Sequence, residues 1–215
     1  MYATISADIV SSTSLSGDSI RELNNGLKHC LEEINTHYHG FWGRIVRGDS
    51  IECALENPVD ALEVAILLKA WVKSFEPQDK IASKNFNRYG LRIAIGVGEM
   101  NTISKDNDML DGEAIYRSGR ALDKDLKGWS KYSFVISMSD AERQKSLNVI
   151  VSFINHLLHQ ASARQCQILY NRILSADSRE TAEKLGITVS GINQTLKIIG
   201  WTSIEQAIEY YRSIM

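Results

Sequence analysis

The stretch LRIAIGV, Leu91 to Val97, decides the fold. Leu91, Ile93, Ile95 and Val97 alternate with Arg92, Ala94 and Gly96, the two-residue period of a strand that buries one face. Upstream, Tyr2 to Val10 reads as a first strand entering the loop Ser11-Ser12-Thr13-Ser14. Ile20, Leu23, Leu27, Leu31 and Ile34 then recur three and four apart, an amphipathic helix that closes near Gly40. Phe41 to Val46 and Ser50 to Leu55 flank Arg47-Gly48-Asp49 and predict a β-hairpin. Asn57-Pro58 opens a second helix through Ala61, Leu62, Ala65, Ile66 and Leu68 towards Phe75, and the polar residues 76–90 read as a loop. Downstream, 112–126 is helical and 132–138 alternates as a further strand. This order predicts an α+β fold: a ferredoxin-like or palm-like antiparallel sheet with helices on one face.

From Ser139 onward the periodicity is helical only. Leu147, Ile150, Val151, Ile154, Leu157 and Leu158 mark one connecting helix, and shorter helices follow over 163–174, 179–185, 189–199 and 203–213. The expected division is therefore an α+β domain over 1–138, a connecting helix over 139–160 and an all-α helix-turn-helix domain over 161–215.

Composition narrows the class. The 215 residues are 44% hydrophobic and 23% charged with a net charge of −2, so no global positive field advertises nucleic acid or an anionic membrane. Cys30, Cys53 and Cys166 are an odd set without CxxC spacing and read as buried free thiols. MYATISADIV has no basic n-region and meets Asp8 early, unlike a signal peptide. The longest uncharged run, Ser146 to Ala163, holds Asn148, Asn155, His156, His159 and Gln160, which are costly in hydrocarbon. A cytoplasmic chain with no membrane contact is expected. His37 and His39 alternate at a helix end and cannot converge readily, His156 and His159 have no local carboxylate or thiol to complete a metal shell, and neither pair reads as a metal site.

Two aspartates fall where strands end, Asp8 after the first strand and Asp49 in the hairpin turn. If those strands are neighbours, the carboxylates converge at the sheet edge, and two hard oxygen donors suit Mg²⁺ or Mn²⁺ with substrate phosphates completing the shell. The small residues Ser11, Ser12 and Thr13 let backbone N–H groups face phosphate oxygens. Gly96 and Gly98 lack the lysine and third glycine of a nucleotide loop and read as close-packing positions.

Taken together, these segments resemble class III nucleotidyl cyclases. ADIVSST (7–13) is similar to their first metal-binding segment, RIVRGDSIECAL (44–55) to their Gly-Asp hairpin, YGLRIAIGVGEM (89–100) to a core strand and DGEAIYRSGRALD (111–123) to the helix carrying their transition-state arginine. The resemblance implies Asp8 and Asp49 as metal ligands, Arg120 as the arginine that stabilises the transferring phosphoryl group, and a homodimer whose sites combine both subunits. The sequence also departs from that family. Tyr116 stands where the family has Asn, Ile45 where it has a base-reading Lys and Met109 where it has the acidic partner, with Arg44, Arg47, Asp108 and Asp111 nearby. Phosphate and metal features are kept and base-reading features are not, which argues against a conventional adenylyl or guanylyl cyclase.

The C-terminal segment RETAEKLGITVSGINQTLKII (179–199) pairs Ala182, small enough for close helix crossing, with Gly186 at a sharp turn and Ile187, Ile192 and Leu196 as the wedge. With ARQCQILYNRILS (163–175) it resembles the helix-turn-helix of sigma factors and quorum regulators. That resemblance implies double-stranded DNA as partner, with Ser190, Asn193, Gln194 and Lys197 reading base edges and Thr188 and Ser190 touching phosphate. Residues 161–215 carry a net charge of only +1, modest for a DNA binder; a protein-interaction three-helix unit is the competing reading. The whole-chain combination resembles the bacterial SatD family. It implies a cytoplasmic DNA-binding regulator whose cyclase-like domain senses a nucleotide and divalent metal. The alternatives are a nucleotidyl cyclase or related phosphoryl-transfer enzyme and a non-catalytic dimerisation scaffold.

Overall fold

The computed structural model describes residues 1–46, 48–77, 84–104, 109–126, 133–175 and 177–215. Arg47, Asp108 and Tyr132, three positions used in the sequence reading, lie outside them. The α+β class is as expected. Strands β1 (Tyr2–Ile9), β2 (Phe41–Ile45), β3 (Ser50–Leu55), β4 (Leu91–Gly98) and β7 (Phe134–Ser137) form one sheet in the order β2-β3-β1-β4-β7. The first four are antiparallel neighbours in the ferredoxin-like order, and β7 adds to β4 in parallel, so the sheet is mixed.

Helices cover both faces of this sheet, where one was expected. On one face Ala3, Ile5, Ala7, Ile93, Ile95 and Val97 pack with α1 (Gly17–His37) and α2 (Ala61–Ser74). On the other, Ala94 packs with Ala121, Leu122 and Leu126, in and just beyond α4 (Glu113–Lys124). The reason lies in the polar positions of the same strands. Ser118 Oγ of α4 hydrogen-bonds Thr4 Oγ1 at 2.9 Å and Ser6 Oγ at 2.8 Å, so the polar positions of this face are buried under a helix. Gly96 permits the approach. A Cβ there would lie 2.1 Å from the Ala114 carbonyl oxygen.

Two further elements emerge from segments read as loops. A small antiparallel ribbon joins β5 (Met100–Ser104) to β6 (Met109–Gly112), and α3 (Lys84–Tyr89) is anchored by Phe86, buried edge-to-face against Phe75. The strands end at Ser137, but the apolar core runs on. Helix α2 is buried nearly all round because the sheet lies on one side and α6 (Ala163–Leu174) on the other. Leu147, Val151, Ile154 and Leu158 of α5 (Ala141–Gln160), Cys166, Leu169 and Tyr170 of α6, and Ile204, Ile208 and Tyr211 of α9 (Trp201–Ile214) belong to the same cluster as the sheet residues. The three cysteines are free and buried. No helix among the described residues is long and apolar enough to cross a membrane.

Candidate functional site

The pairing of β1 with β3 sets Asp8 opposite Ser50, and the Ile9 N–H donates to the Asp49 carbonyl at 2.8 Å. The two aspartates are therefore backbone neighbours at one end of the sheet. Their side chains take different partners. Asp8 accepts from Ser50 Oγ at 2.8 Å and from the Arg92 guanidinium at 3.1 Å, while Asp49 accepts from Ser12 Oγ at 2.8 Å. Arg92, which donates its other nitrogen to the Leu126 carbonyl at 3.1 Å, was not singled out in the sequence. Its position in the alternation of LRIAIGV, off the apolar face, was the available signal.

Ser11 follows at φ 55° and ψ 34°, left-handed backbone that costs a non-glycine residue roughly 1–2 kcal/mol. The chain thereby tightens into a 3₁₀ turn over Ser12–Ser14, with Ser14 N–H and Oγ donating to the Ser11 carbonyl at 2.9 and 2.7 Å. Among the described residues the N–H groups of Ser11, Ser12 and Thr13 find no acceptor. Successive free amides across such a turn make a concave row that suits an anion. The turn is strapped to the hairpin by the Ser12–Asp49 bond and leads directly into α1, capped by Ser16.

The fit to a metal follows from these partners. No group of three His, Cys, Asp or Glu side chains among the described residues could hold an ion. Arg92 and Ser50 on Asp8 and Ser12 on Asp49 occupy oxygens that a cation would take.

Arg120 makes no ion pair with either aspartate among the described residues. It is exposed on the outer side of α4 with its guanidinium 6.0 Å from the Tyr116 ring centroid, in a shallow groove of about 490 Å³ that also includes Glu113, Arg117 and Lys124. Tyr116, 52% exposed, donates to Asp111, which also accepts from Asn101 at 3.0 Å; these bonds hold the Asp111 carboxyl below its ordinary range. Met109 is 51% exposed. The chain alone thus leaves Arg120 and Met109 pointing outward, and Ile45 half-buried on the edge strand.

At the other end, α6, α7 (Ser178–Leu185), α8 (Val189–Ile199) and α9 build a compact unit. Ile168, Ala182, Ile192 and Leu196 are its buried wedge, with Leu185, Ile187 and Trp201 packed around them. Asp177 caps α7 by accepting from the N–H groups of Arg179 and Glu180, and α7 ends on Gly186 at φ 63°. The Thr188 hydroxyl accepts from the Gly191 N–H at 3.1 Å and so caps α8. Helix α8 packs on α6, α7 and α9, and Thr188, Ser190, Asn193, Gln194 and Lys197 are all exposed on its free side. Val189 and Ile198, also exposed there, were not singled out.

This unit is fastened to the sheet-bearing body by polar contacts. Glu33 of α1 accepts from Tyr170 Oη at 2.6 Å and from Lys184 Nζ at 3.0 Å. Burial alone would raise its carboxyl, but these two partners hold it below its ordinary range. Glu63 of α2 accepts from Tyr38 Oη at 2.8 Å and from Arg212, and there burial prevails and raises the carboxyl. Deeper, Lys73 donates to the carbonyls of Arg88 at 2.8 Å and Leu158 at 2.6 Å, near the C-terminal ends of α3 and α5, where cations are favoured. Lys69, fully buried, donates to the Tyr89 and Leu91 carbonyls and to Ser133 Oγ at 2.9 Å; Ser133 also meets Asn155 at 2.7 Å and His159 at 2.9 Å. Burial, then the positive charges of Lys69 and Lys73, depress the His159 imidazole to about 3. With Lys69, Asn155 and His159 all bonded to it, the Ser133 oxygen is saturated and serves as a structural hub rather than a nucleophile. No protein-family model, curated protein or solved structure matches this chain.

Proposed function

We propose that this chain is a cytoplasmic DNA-binding transcriptional regulator, related in kind to the SatD proteins it resembles, that works as a homodimer. The observation that carries the reading is α8. Its apolar side is consumed by Ile168, Ala182, Ile192 and Leu196, while Ser190, Asn193, Gln194 and Lys197 stand free on the opposite side. Asn and Gln match adenine edges, and Lys reaches guanine or phosphate. With a local net charge of +1 the expected affinity is modest and salt-dependent, and a dimer doubles the contacts. Anisotropy titrations of labelled upstream DNA against random DNA test it. Asn193→Ala and Gln194→Ala are each expected to cost about 1–3 kcal/mol on the cognate site only; equal binding to both DNAs ends the reading.

Within it, the turn Ser11-Ser12-Thr13 receives the phosphates of a nucleotide, and Asp8 and Asp49 receive the Mg²⁺ or Mn²⁺ that nucleotide carries. The three acceptor-free amides beside two carboxylates support this. Turnover is not part of the proposal, because Arg92 engages Asp8 and Tyr116 stands where the cyclases have Asn. Arg120 becomes catalytic only if a partner subunit's site meets it. Thermal-shift measurements with each nucleoside triphosphate and Mg²⁺ or Mn²⁺ test the sensor. Wild type should be stabilised and an Asp8→Ala, Asp49→Ala variant should not.

A further inference from the structure

The connecting helix α5 buries Leu147, Val151, Ile154, Asn155 and Leu158 on one side. The opposite side carries Glu142, Lys145, Val149, Phe153, His156 and Gln160, all exposed. At about 100° per residue these six fall within a sector of about 80°, a stripe running the length of the helix. Its centre is apolar: Phe153 is 68% exposed and Val149 53%, among the most open large hydrophobic side chains described. The body already contacts α5 through β7, α3 and α9, and none of these covers the stripe.

We propose that this stripe pairs with the same stripe of a second copy of the chain, antiparallel, about a two-fold axis at Val149. The charges choose both partner and direction. Glu142 and Lys145 have no side-chain ion-pair partner among the described residues, and both lie in the N-terminal half, while Phe153 and His156 lie in the C-terminal half. A two-fold centred on Val149 sets Lys145 against Phe153 of the second copy, ammonium over ring, and Glu142 against His156, carboxylate to imidazole N–H. Parallel pairing in register sets Glu142 on Glu142 and Lys145 on Lys145, and like charges oppose it. The face is separate from the outward side of α4, where Arg120 stands. It also stands without any nucleotide or DNA bound.

Sedimentation velocity from about 1 to about 200 µM, without ligand, reads the association. Wild type should pass from monomer to dimer in that range. Phe153→Glu should weaken the dimer at least about tenfold with unchanged circular dichroism and Tm, and Tyr116→Glu on α4 should not. Single cysteines locate the axis, since the native thiols are buried. Under oxidised glutathione, which takes up the two electrons, Val149→Cys should form a disulfide-linked dimer. Phe153→Cys should not, because the two copies of that position lie about 12 Å apart along the helices, beyond disulfide reach. A chain that stays monomeric throughout, a dimer untouched by Phe153→Glu, or equal cross-linking from both cysteines overturns the proposal. Any of these leaves DNA and nucleotide binding to be decided by their own measurements.

Discussion

The helix-turn-helix unit and the carboxylate corner were both read from short motifs, yet they satisfy themselves differently. In the first, Ile168, Ala182, Ile192 and Leu196 turn inward, while Ser190, Asn193, Gln194 and Lys197 stand exposed. In the second, each candidate ligand already has a partner inside the chain: Asp8 has Arg92 and Ser50, and Asp49 has Ser12. Among the described residues, Asn193, Gln194 and Lys197 have no internal side-chain hydrogen bond to give up on meeting a partner. A ligand at the corner must compete with internal hydrogen bonds, so occupancy there is coupled to rearrangement of the turn and of Arg92.

The comparison breaks first at the wedge. Ile192→Asp places a charge at a fully buried position and should cost about 4 kcal/mol or more, lowering the thermal transition and abolishing the proposed DNA binding. If differential scanning calorimetry shows no loss, α8 is not held as described. Next comes Gly96→Ala beneath α4, where the added methyl meets helix backbone rather than a movable side chain. About 1–3 kcal/mol of destabilisation is expected, measured by urea unfolding.

The buried hub sharpens the contrast through pH. His159 is depressed to about 3 in the folded chain against about 6.5 when unfolded, so below that upper value the unfolded chain takes up the proton and the folded one does not. Stability from this residue is present above about pH 6.5 and declines as pH falls towards 3. The half-buried ring reduces the effect to roughly 1 kcal/mol by about pH 5, and His159→Gln should flatten that part of the profile in denaturant titrations. The smallest effect is expected at the corner. Asp8→Asn removes an ion pair whose members are 26% and 32% exposed, worth under about 1 kcal/mol. It should nevertheless abolish stabilisation by Mg²⁺-nucleotide; a variant that still responds excludes Asp8 from the ligand site.

Legibility followed the kind of physics involved. Strand and helix periods are local, and β4, the hairpin and the helix-turn-helix stand where Leu91–Val97, the segments around Gly48 and Ala182–Leu196 place them. The second covered sheet face was not legible. Thr4, Ser6 and Ser118 carry polar labels, and only their mutual hydrogen bonds make them interior. Arg92 was missed for a related reason: its role depends on the register that sets it opposite Asp8. The lysines of α2 hid in the same way. Nothing in the sequence singled out Lys69 and Lys73, because only carbonyls from three other segments make them interior.

Helix α2 carries a last consequence. Sheet and C-terminal helices share it as a common wall, so the molecule cannot be halved for study at the place where its strands run out. Severing 161–215 would strip α6 and α9 from α2 and part Leu169, Tyr170 and Tyr211 from the cluster they share with the sheet, and each piece would carry a sticky wound in place of a surface.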